Sequence, residues 1–505
     1  MAGFLQSNLC FRLTYRNDPA AFVRDCFEWG PGEGPTSYQT ELLEALPQHH
    51  RLCVRGPHGL GKSALAAWVV LWFSLTRDGA ADWKIPTTAS AWRQLDHFLW
   101  PEIHKWARRL RWDRLGREPL NERTELLQLN LRLSTGEAFA AASDRPELIE
   151  GAHADQLLYI FDEAKAIIPE TFDAAEGAFS GAGSDTTAEA YALALSTPGE
   201  PNGRFYEIQS RRAGYEDWHV RAVTLDECIA AGRVSRDWVA QRALQWGVES
   251  AVYQNRVAGE FASSDSDGVI PLSWVEAANR RWQDWQDAGG QGMLTHLGVD
   301  VARSGEDKSV LALRSGDIIM SLRRYAKEDT MQVTGRVMAA LGSRALPPPP
   351  SLTKSPPLPV IVVDVIGIGA GVVDRLREME MRLPVIAFNA GEGSKLRDRS
   401  GELGFVNCRS AAWWNLRELL DPANGRAVAL PPDDLLTGDL TAPRWRHTSG
   451  GAVQVESKDE IRKRLKRSTD DGDAVVQAFW VTGGELTAPA SRSPRIVRLG
   501  GMPRR

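Results

Sequence analysis

The stretch that most constrains the fold is VRGPHGLGKSALAAWVVLWF, residues 54–73. Gly56, Gly59 and Gly61 free the backbone between a short apolar run and a long helix-forming one, so successive amide N–H groups can converge on one point. The helix that follows presents its positive end there, and such a turn holds oxyanions. The loop Gly56-Pro57-His58-Gly59-Leu60-Gly61-Lys62-Ser63 fits GxxxxGK[ST] at every position. In that pattern these residues cradle the phosphates of a nucleotide, Lys62 reaches the β and γ phosphates, and Ser63 is a ligand of Mg²⁺. A strand before the loop and a buried helix after it imply a parallel, helix-covered α/β sheet.

Hydrolysis needs more than a loop that binds. LLYIFDEA, residues 157–164, is a buried strand ending in Asp162 and Glu163. Asp162 suits a Mg²⁺ ion, and Glu163 suits the base that orients and deprotonates a water. YALALSTPG ends a further strand in Ser196 and Thr197, placed to sense the γ phosphate or simply to make a polar turn. Transition-state charge also calls for a cation, and Arg145 in SDRPELIEG is the candidate. Gln39, in SYQTELL ahead of the loop, offers an amide for adenine.

The chain has 505 residues, 43% hydrophobic and 25% charged, the balance of a globular protein. Its apolar runs are shorter than a membrane span, and no basic segment leads into a long apolar core, so neither a membrane anchor nor a secretory leader is expected. Cys10, Cys26, Cys53, Cys228 and Cys408 form no CxxC pair, which argues against a disulfide framework or zinc site and fits a reducing cytoplasm. A net charge of −5 leaves any nucleic-acid contact to local basic patches. The texture divides the chain into an ATPase domain over 1–258, a small and polar linker over 259–290, a second strand-rich domain over 291–485, and a basic tail over 486–505 expected to be disordered. Residues 346–359, LPPPPSLTKSPPLP, read as an exposed stiff loop within the second domain.

That second domain carries its own acids at element ends. Asp300 follows THLGV, Asp307 lies in RSGEDKS, Asp364 ends VIVVD, and Asp470, Asp471 and Asp473 open RSTDDGDAVVQAFW. Carboxylates gathered from separate elements repel one another unless cations offset them, and two Mg²⁺ or Mn²⁺ ions would use such a set for phosphodiester hydrolysis. DVIGIGAGVVD imitates a dinucleotide fingerprint, but its third glycine, Gly371, comes one place early. KDEIRKRLKRS, residues 458–468, reads equally as a basic face for a DNA backbone or as a solvated helix.

In their order, these motifs resemble the large terminase subunit of tailed bacteriophages. The resemblance runs from SYQTELLEAL to DDGDAVVQAF and rests on GPHGLGKSALAAW, RPELIEGAHADQLLYIFDEA, STPGEPNGRFYE, RVAGEFASSDSDGVIPLSWVE, GVDVARSGEDKS, VVDVIGIGAGVVDRL and ESKDEIRKRLKRSTDDGDA. It implies a RecA-like ASCE ATPase that pumps DNA, followed by a ribonuclease H-like nuclease. It makes Lys62 and Ser63 nucleotide ligands, Asp162 the magnesium ligand, Glu163 the base, Ser196 and Thr197 the coupling motif, and Gln39 the adenine contact. It favours Arg145 as a finger acting on a neighbouring subunit's ATP. In the nuclease it implies Asp300, Asp364 and Asp473 as metal ligands, with Asp307 as accessory and Asp470 and Asp471 competing with Asp473 for the last place.

Double-stranded DNA, a portal protein, a small terminase subunit and a pentameric ring of this chain are the implied partners. The implied location is the host cytoplasm and, transiently, the portal vertex of the procapsid. The chain departs from many terminases in carrying His58 and Leu60 where an arginine often stands in the loop, and Glu150 where an arginine often precedes Gly151. A helicase-nuclease of repair or restriction is the rival reading, and residues 206–261 offer no further helicase motif for it. A non-catalytic binding protein, its acids serving as surface caps, is the other.

Overall fold

The computed structural model describes residues 10–143, 146–179, 188–262, 267–302, 307–342, 358–379 and 383–480. Arg145, most of the proline-rich stretch and the basic tail lie outside them. Among the described residues no helix is long and apolar enough to cross a membrane. The chain divides into two units, residues 1–263 and 264–505.

The apolar runs of the first half become strands of one sheet. They are β1 (Arg51–Arg55), β2 (Trp83–Ala89), β3 (Leu126–Leu127), β4 (Asn130–Arg132), β5 (Gly136–Ala142), β6 (Gln156–Asp162), β7 (Glu189–Ser196) and β8 (His219–Ala222). Their order is β3-β4-β5-β2-β6-β7-β1-β8. The five inner strands run parallel with β8 and the edge strand β3, and only β4 runs against them. Strand β7 lies between the phosphate-loop strand and the acid strand, the arrangement expected of an ASCE ATPase. Three helices of this unit matter below: α1 (Ser37–His49), α2 (Lys62–Arg77) and α3 (Leu225–Ala230).

Register decides where the functional groups fall. Arg55 pairs with Ser196, and Asp162 pairs with Leu195 on one side and Ala89 on the other. The ends of β1, β6 and β7 therefore share one edge of the sheet, where ligands of parallel α/β sheets bind. Helix α2 is apolar nearly all round, with every residue from Leu65 to Arg77 buried, so the phosphate loop is anchored to the core on both sides.

The second unit is built on β9 (His296–Asp300), β10 (Lys308–Ser315), β11 (Ile318–Ala326), β12 (Val360–Asp364) and β13 (Val385–Phe388), in the order β11-β10-β9-β12-β13. Strands β9, β12 and β13 are parallel, and β10 runs antiparallel to β9 and β11. This is the ribonuclease H-like arrangement. The expected linker, 259–290, contains the helix α4 (Leu272–Asp287), which packs within this unit: Asn279 donates to the carbonyls of Leu430 and Pro431, and Trp282 to that of Ile319. Its apolar positions Leu272, Val275 and Ala278 fall at helical spacing, a period that the polar composition conceals.

Helices α5 (Gly369–Glu378), α6 (Cys408–Leu420), α7 (Lys458–Leu465) and α8 (Asp470–Ala478) complete the surroundings of the second site. The glycines of DVIGIGAGVVD serve packing. A Cβ on Gly369 would meet the Asp364 carbonyl oxygen at 1.7 Å, so glycine lets α5 begin directly over the end of β12. Gly298 does the same for α8, because a Cβ there would lie 2.0 Å from the Ala474 carbonyl oxygen and 2.5 Å from the Ala478 nitrogen. Gly298→Ala is therefore expected to destabilise the second unit by about 1–3 kcal/mol through overpacking, read as a lower denaturant midpoint with the first unit's transition unchanged.

Candidate functional site

The first site gathers at the shared strand edge. Gly59 and Gly61 adopt left-handed φ angles of 87° and 89°, which turn the loop into the N-terminus of α2. The His58 amide donates to the Arg256 carbonyl at 2.9 Å, the buried Leu60 packs beneath Gly56, and Pro57 lies against Gly259. Tyr38 donates its hydroxyl to the Leu60 carbonyl at 3.0 Å. Gln39 accepts from the Thr36 amide in the capping box of α1, and its amide nitrogen reaches the Gly61 carbonyl at 3.5 Å.

Opposite the loop, Glu163 leaves β6 with φ 47°, a left-handed conformation rare for a residue with a Cβ. That turn points its carboxylate across the cleft: Oε1 is 3.9 Å from Lys62 Nζ, and Oε2 accepts from the Ser196 hydroxyl at 3.3 Å. Ser196 Oγ also accepts from the Lys165 amide at 3.3 Å, so the hydroxyl ties Glu163 to the segment after the acid strand. Thr197 follows it, buried. Burial, and then the Glu163 carboxylate, push the Asp162 carboxyl up to about 7 against the pull of Lys62. An acid so placed is ionised fully only beside additional positive charge, which suits a cation held with Ser63.

The second site forms where β9 and β12 end side by side, since Val299 pairs with Val363 and the next residues are Asp300 and Asp364. Helix α8 lies across them and brings Asp473. Lys458, the first residue of α7, sits between: its ammonium donates to Asp300 at 2.7 Å and lies 3.2 Å from Asp473. Asp473 also accepts from Arg409 at 2.6 Å and Trp413 at 3.1 Å, both on α6, and from the Thr469 hydroxyl at 2.9 Å. Burial alone would raise the Asp473 pKa, but Arg409 and then Lys458 bring it below the usual range. Burial pushes Asp300 up to about 8, with Lys458 opposing and Asp473, Asp470 and Asp364 adding to the rise. Burial likewise dominates the raised pKa of Asp364. Burial would strip the Lys458 ammonium of its proton, yet Asp300, Asp473 and Asp364 outweigh it and keep the group charged.

The three neighbouring acids of α8 separate by helical phase. Asp473 faces the strand ends. Asp471 turns to Arg324, which it holds at 2.6 Å together with Asp433. Asp470 accepts from the Lys308 amide at 3.1 Å and borders a cavity of about 440 Å³ that Asp307 and Arg462 also line. Asp307 is paired with Arg462 at 2.6 Å. The basic run that starts on α7 and ends just past it is thus largely neutralised within the unit: Lys458 by the acids, Arg462 by Asp307, Arg464 by Glu456 at 2.7 Å and Arg467 by Asp439.

Among the described residues no three histidine, cysteine or carboxylate side chains stand in the arrangement of a metal site. The donor chemistry nevertheless fits hard divalent cations, because several aspartates meet around one ammonium and burial raises the proton affinities of Asp300 and Asp364. Lys458 and Arg409 escaped sequence reading, one as a member of a basic run and the other as an ordinary helical arginine. Arg145 lies outside the described residues.

The fold and the two sites define a P-loop ATPase unit joined to a ribonuclease H-like unit with an acidic centre. No protein-family model matches the chain. A probable terminase large subunit of Enterobacteria phage P7 is 26% identical over 466 residues, 87% of this chain and 86% of that protein. The chain is thus similar to a phage large terminase subunit along most of its length. Among solved structures, the large terminase of a thermophilic bacteriophage is 11% identical with a TM-score of 0.39, covering 86% of this chain and 98% of that one. The nuclease domain of the large terminase subunit gp2 of bacterial virus Sf6 is 16% identical with a TM-score of 0.34, covering 43% of this chain and 99% of that one.

Lys458 also yields a stability test. In Lys458→Met the aspartates lose their shared cation, and buried Asp300 and Asp364 bind their protons more tightly folded than unfolded, while Arg409 still pairs with Asp473. Stability is then greatest below the unfolded carboxyl pKa of 3.8 and falls as pH rises toward and beyond 8, the value to which Asp300 is already raised with Lys458 present. The expected result is a melting temperature that drops between pH 5 and pH 8 more steeply than in the unmodified chain, with Mn²⁺ restoring part of the loss.

Proposed function

We propose that this chain is the ATPase and nuclease of a phage DNA-packaging motor, driving double-stranded DNA into a procapsid and cutting it from a concatemer. The observation that carries the reading is the hydrolytic geometry at the sheet edge, Glu163 held between Lys62 and Ser196, in a chain that also holds the Asp300–Asp364–Asp473 cluster.

In the ATPase, the amides of Gly56 to Ser63 and the Lys62 ammonium hold the phosphates. Ser63 and Asp162 would hold an accompanying Mg²⁺, which would offset phosphate charge. Glu163 orients a water and takes its proton. Ser196, bonded to Glu163, transmits loss of the γ phosphate to the segment after β6, with Thr197 beside it. Gln39 contacts adenine, and Arg145 completes the site of a neighbouring subunit, in keeping with a pentameric ring on the portal protein.

In the nuclease, Asp300, Asp364 and Asp473 would hold two divalent ions, Mg²⁺ or Mn²⁺, with Asp307 and Asp470 accessory. Ions bound there would supply the charge for in-line phosphodiester hydrolysis. Arg409, Lys458 and Thr469 keep Asp473 ionised, Trp413 helps to orient it, and Lys458 holds the acids together. A small terminase subunit presents the DNA, and the work takes place in the host cytoplasm at the portal vertex.

Two substitutions test the two sites separately. Glu163→Gln is expected to lower the steady-state ATPase rate by about 10²-fold or more while ADP still binds. Asp300→Asn is expected to abolish Mn²⁺-dependent plasmid nicking and leave ATP turnover unchanged. Undiminished turnover in the first variant, or undiminished nicking in the second, overturns the corresponding assignment.

A further inference from the structure

With His58 and Leu60 inside the phosphate loop, the loop has no arginine of its own. The turn after α3 brings one to it. Helix α3 starts at a capping box between Thr224 and Glu227, and Arg221 clamps Glu227 to Glu41 on α1. The chain then reverses through Gly232, at φ 67°, and the amides of Arg233 and Val234 both donate to the Cys228 carbonyl, at 2.9 and 3.2 Å. The turn is fixed against the loop. A Cβ on Gly59 would lie 3.2 Å from the Val234 methyl, and a Cβ on Gly61 would lie 3.0 Å from the Arg233 guanidinium and 2.7 Å from the Gln39 amide nitrogen.

The electrostatics of that placement are unfavourable as they stand. The guanidinium shares its position with the positive end of α2, the converging loop amides and Lys62. No carboxylate among the described residues is paired with it. Elsewhere in this unit arginines close to the sheet have acids: Arg51 holds Glu176 and Asp217, Arg55 holds Glu260, Arg77 holds Glu189, and Arg221 holds Glu41 and Glu227. Positive groups gathered without an acid are stabilised by an anion that arrives from outside.

We propose that Arg233 is a nucleotide-binding residue that reaches, from within the same subunit, the phosphates held by the loop. This rests on the reading of the loop as an ATP site. Arg233 supplies in cis the guanidinium that the loop lacks beside Lys62, on the side of the loop lined by Gln39. Its fork of N–H donors can span two phosphate oxygens, which a lysine cannot do.

The test compares the unmodified full chain with Arg233→Ala, Arg233→Lys and Glu163→Gln, using ATP turnover, binding of a fluorescent ADP, and melting without nucleotide. Arg233→Ala is expected to raise the ATP KM and the ADP Kd about tenfold or more, the loss of one charge-assisted contact, without lowering the nucleotide-free melting temperature. Arg233→Lys is expected to lie between, and Glu163→Gln to bind ADP normally while losing turnover. ADP binding by both Arg233 variants within about twofold of the unmodified chain overturns the assignment of Arg233 and leaves the ATP site standing. Failure of the unmodified chain to bind ADP or turn over ATP overturns both.

Discussion

Buried carboxylates at strand ends can be kept only opposite a fixed cation, and both units of this chain are organised around that requirement. Asp162 and Glu163 face Lys62 across the end of one sheet. Asp300, Asp364 and Asp473 surround Lys458 at the end of the other. In each case burial, with neighbouring carboxylates adding to it, outweighs a single ammonium: Asp162 is raised to about 7 and Asp300 to about 8. Such a centre has unmet demand for positive charge, the property that lets a protein hold a divalent ion or accept a charged reactant. The rest of each unit is the apparatus that keeps the acids together.

That apparatus is backbone register and close packing. Parallel pairing of β1, β7 and β6 aligns Arg55, Ser196 and Asp162 at one edge. Strands β9 and β12 repeat the arrangement in the second unit. Where a side chain must leave the line of its strand, local strain is accepted, as at Glu163 with its left-handed backbone. Where a helix must lie close, a glycine makes room, as Gly298 does for α8 and Gly369 for α5. The polar links follow from these placements. Ser196 can touch Glu163 because β7 and β6 are neighbours, and Arg409 can reach Asp473 because α6 packs beside α8.

The parts legible in the sequence are those whose chemistry is local in the chain. The phosphate loop, the DE pair, the strands ending in Asp300 and Asp364, and the order of motifs are each written within a few residues. Contacts between distant segments are not written that way. Lys458 looked like one charge among many, and only the fold shows it between two strand ends. Asp470, Asp471 and Asp473 could not be told apart by type, but helical phase sends each to a different neighbour. Arg233 carries no pattern at all, since it is an exposed turn residue whose meaning comes from the loop it overlies. Helix α4 was obscured in a different way. Its polar composition suggested a connector, while the apolar residues on one face were enough to pack it into the second unit.

The central claim is that one chain carries two separable chemistries serving a single DNA substrate, and DNase protection of linear DNA by purified procapsids measures it most directly. Procapsids supplied with the Asp300→Asn chain and ATP are predicted to protect DNA as well as those supplied with the unmodified chain, whereas the Glu163→Gln chain protects none. Equal protection with the Glu163→Gln chain, or none with the unmodified chain, would contradict the account.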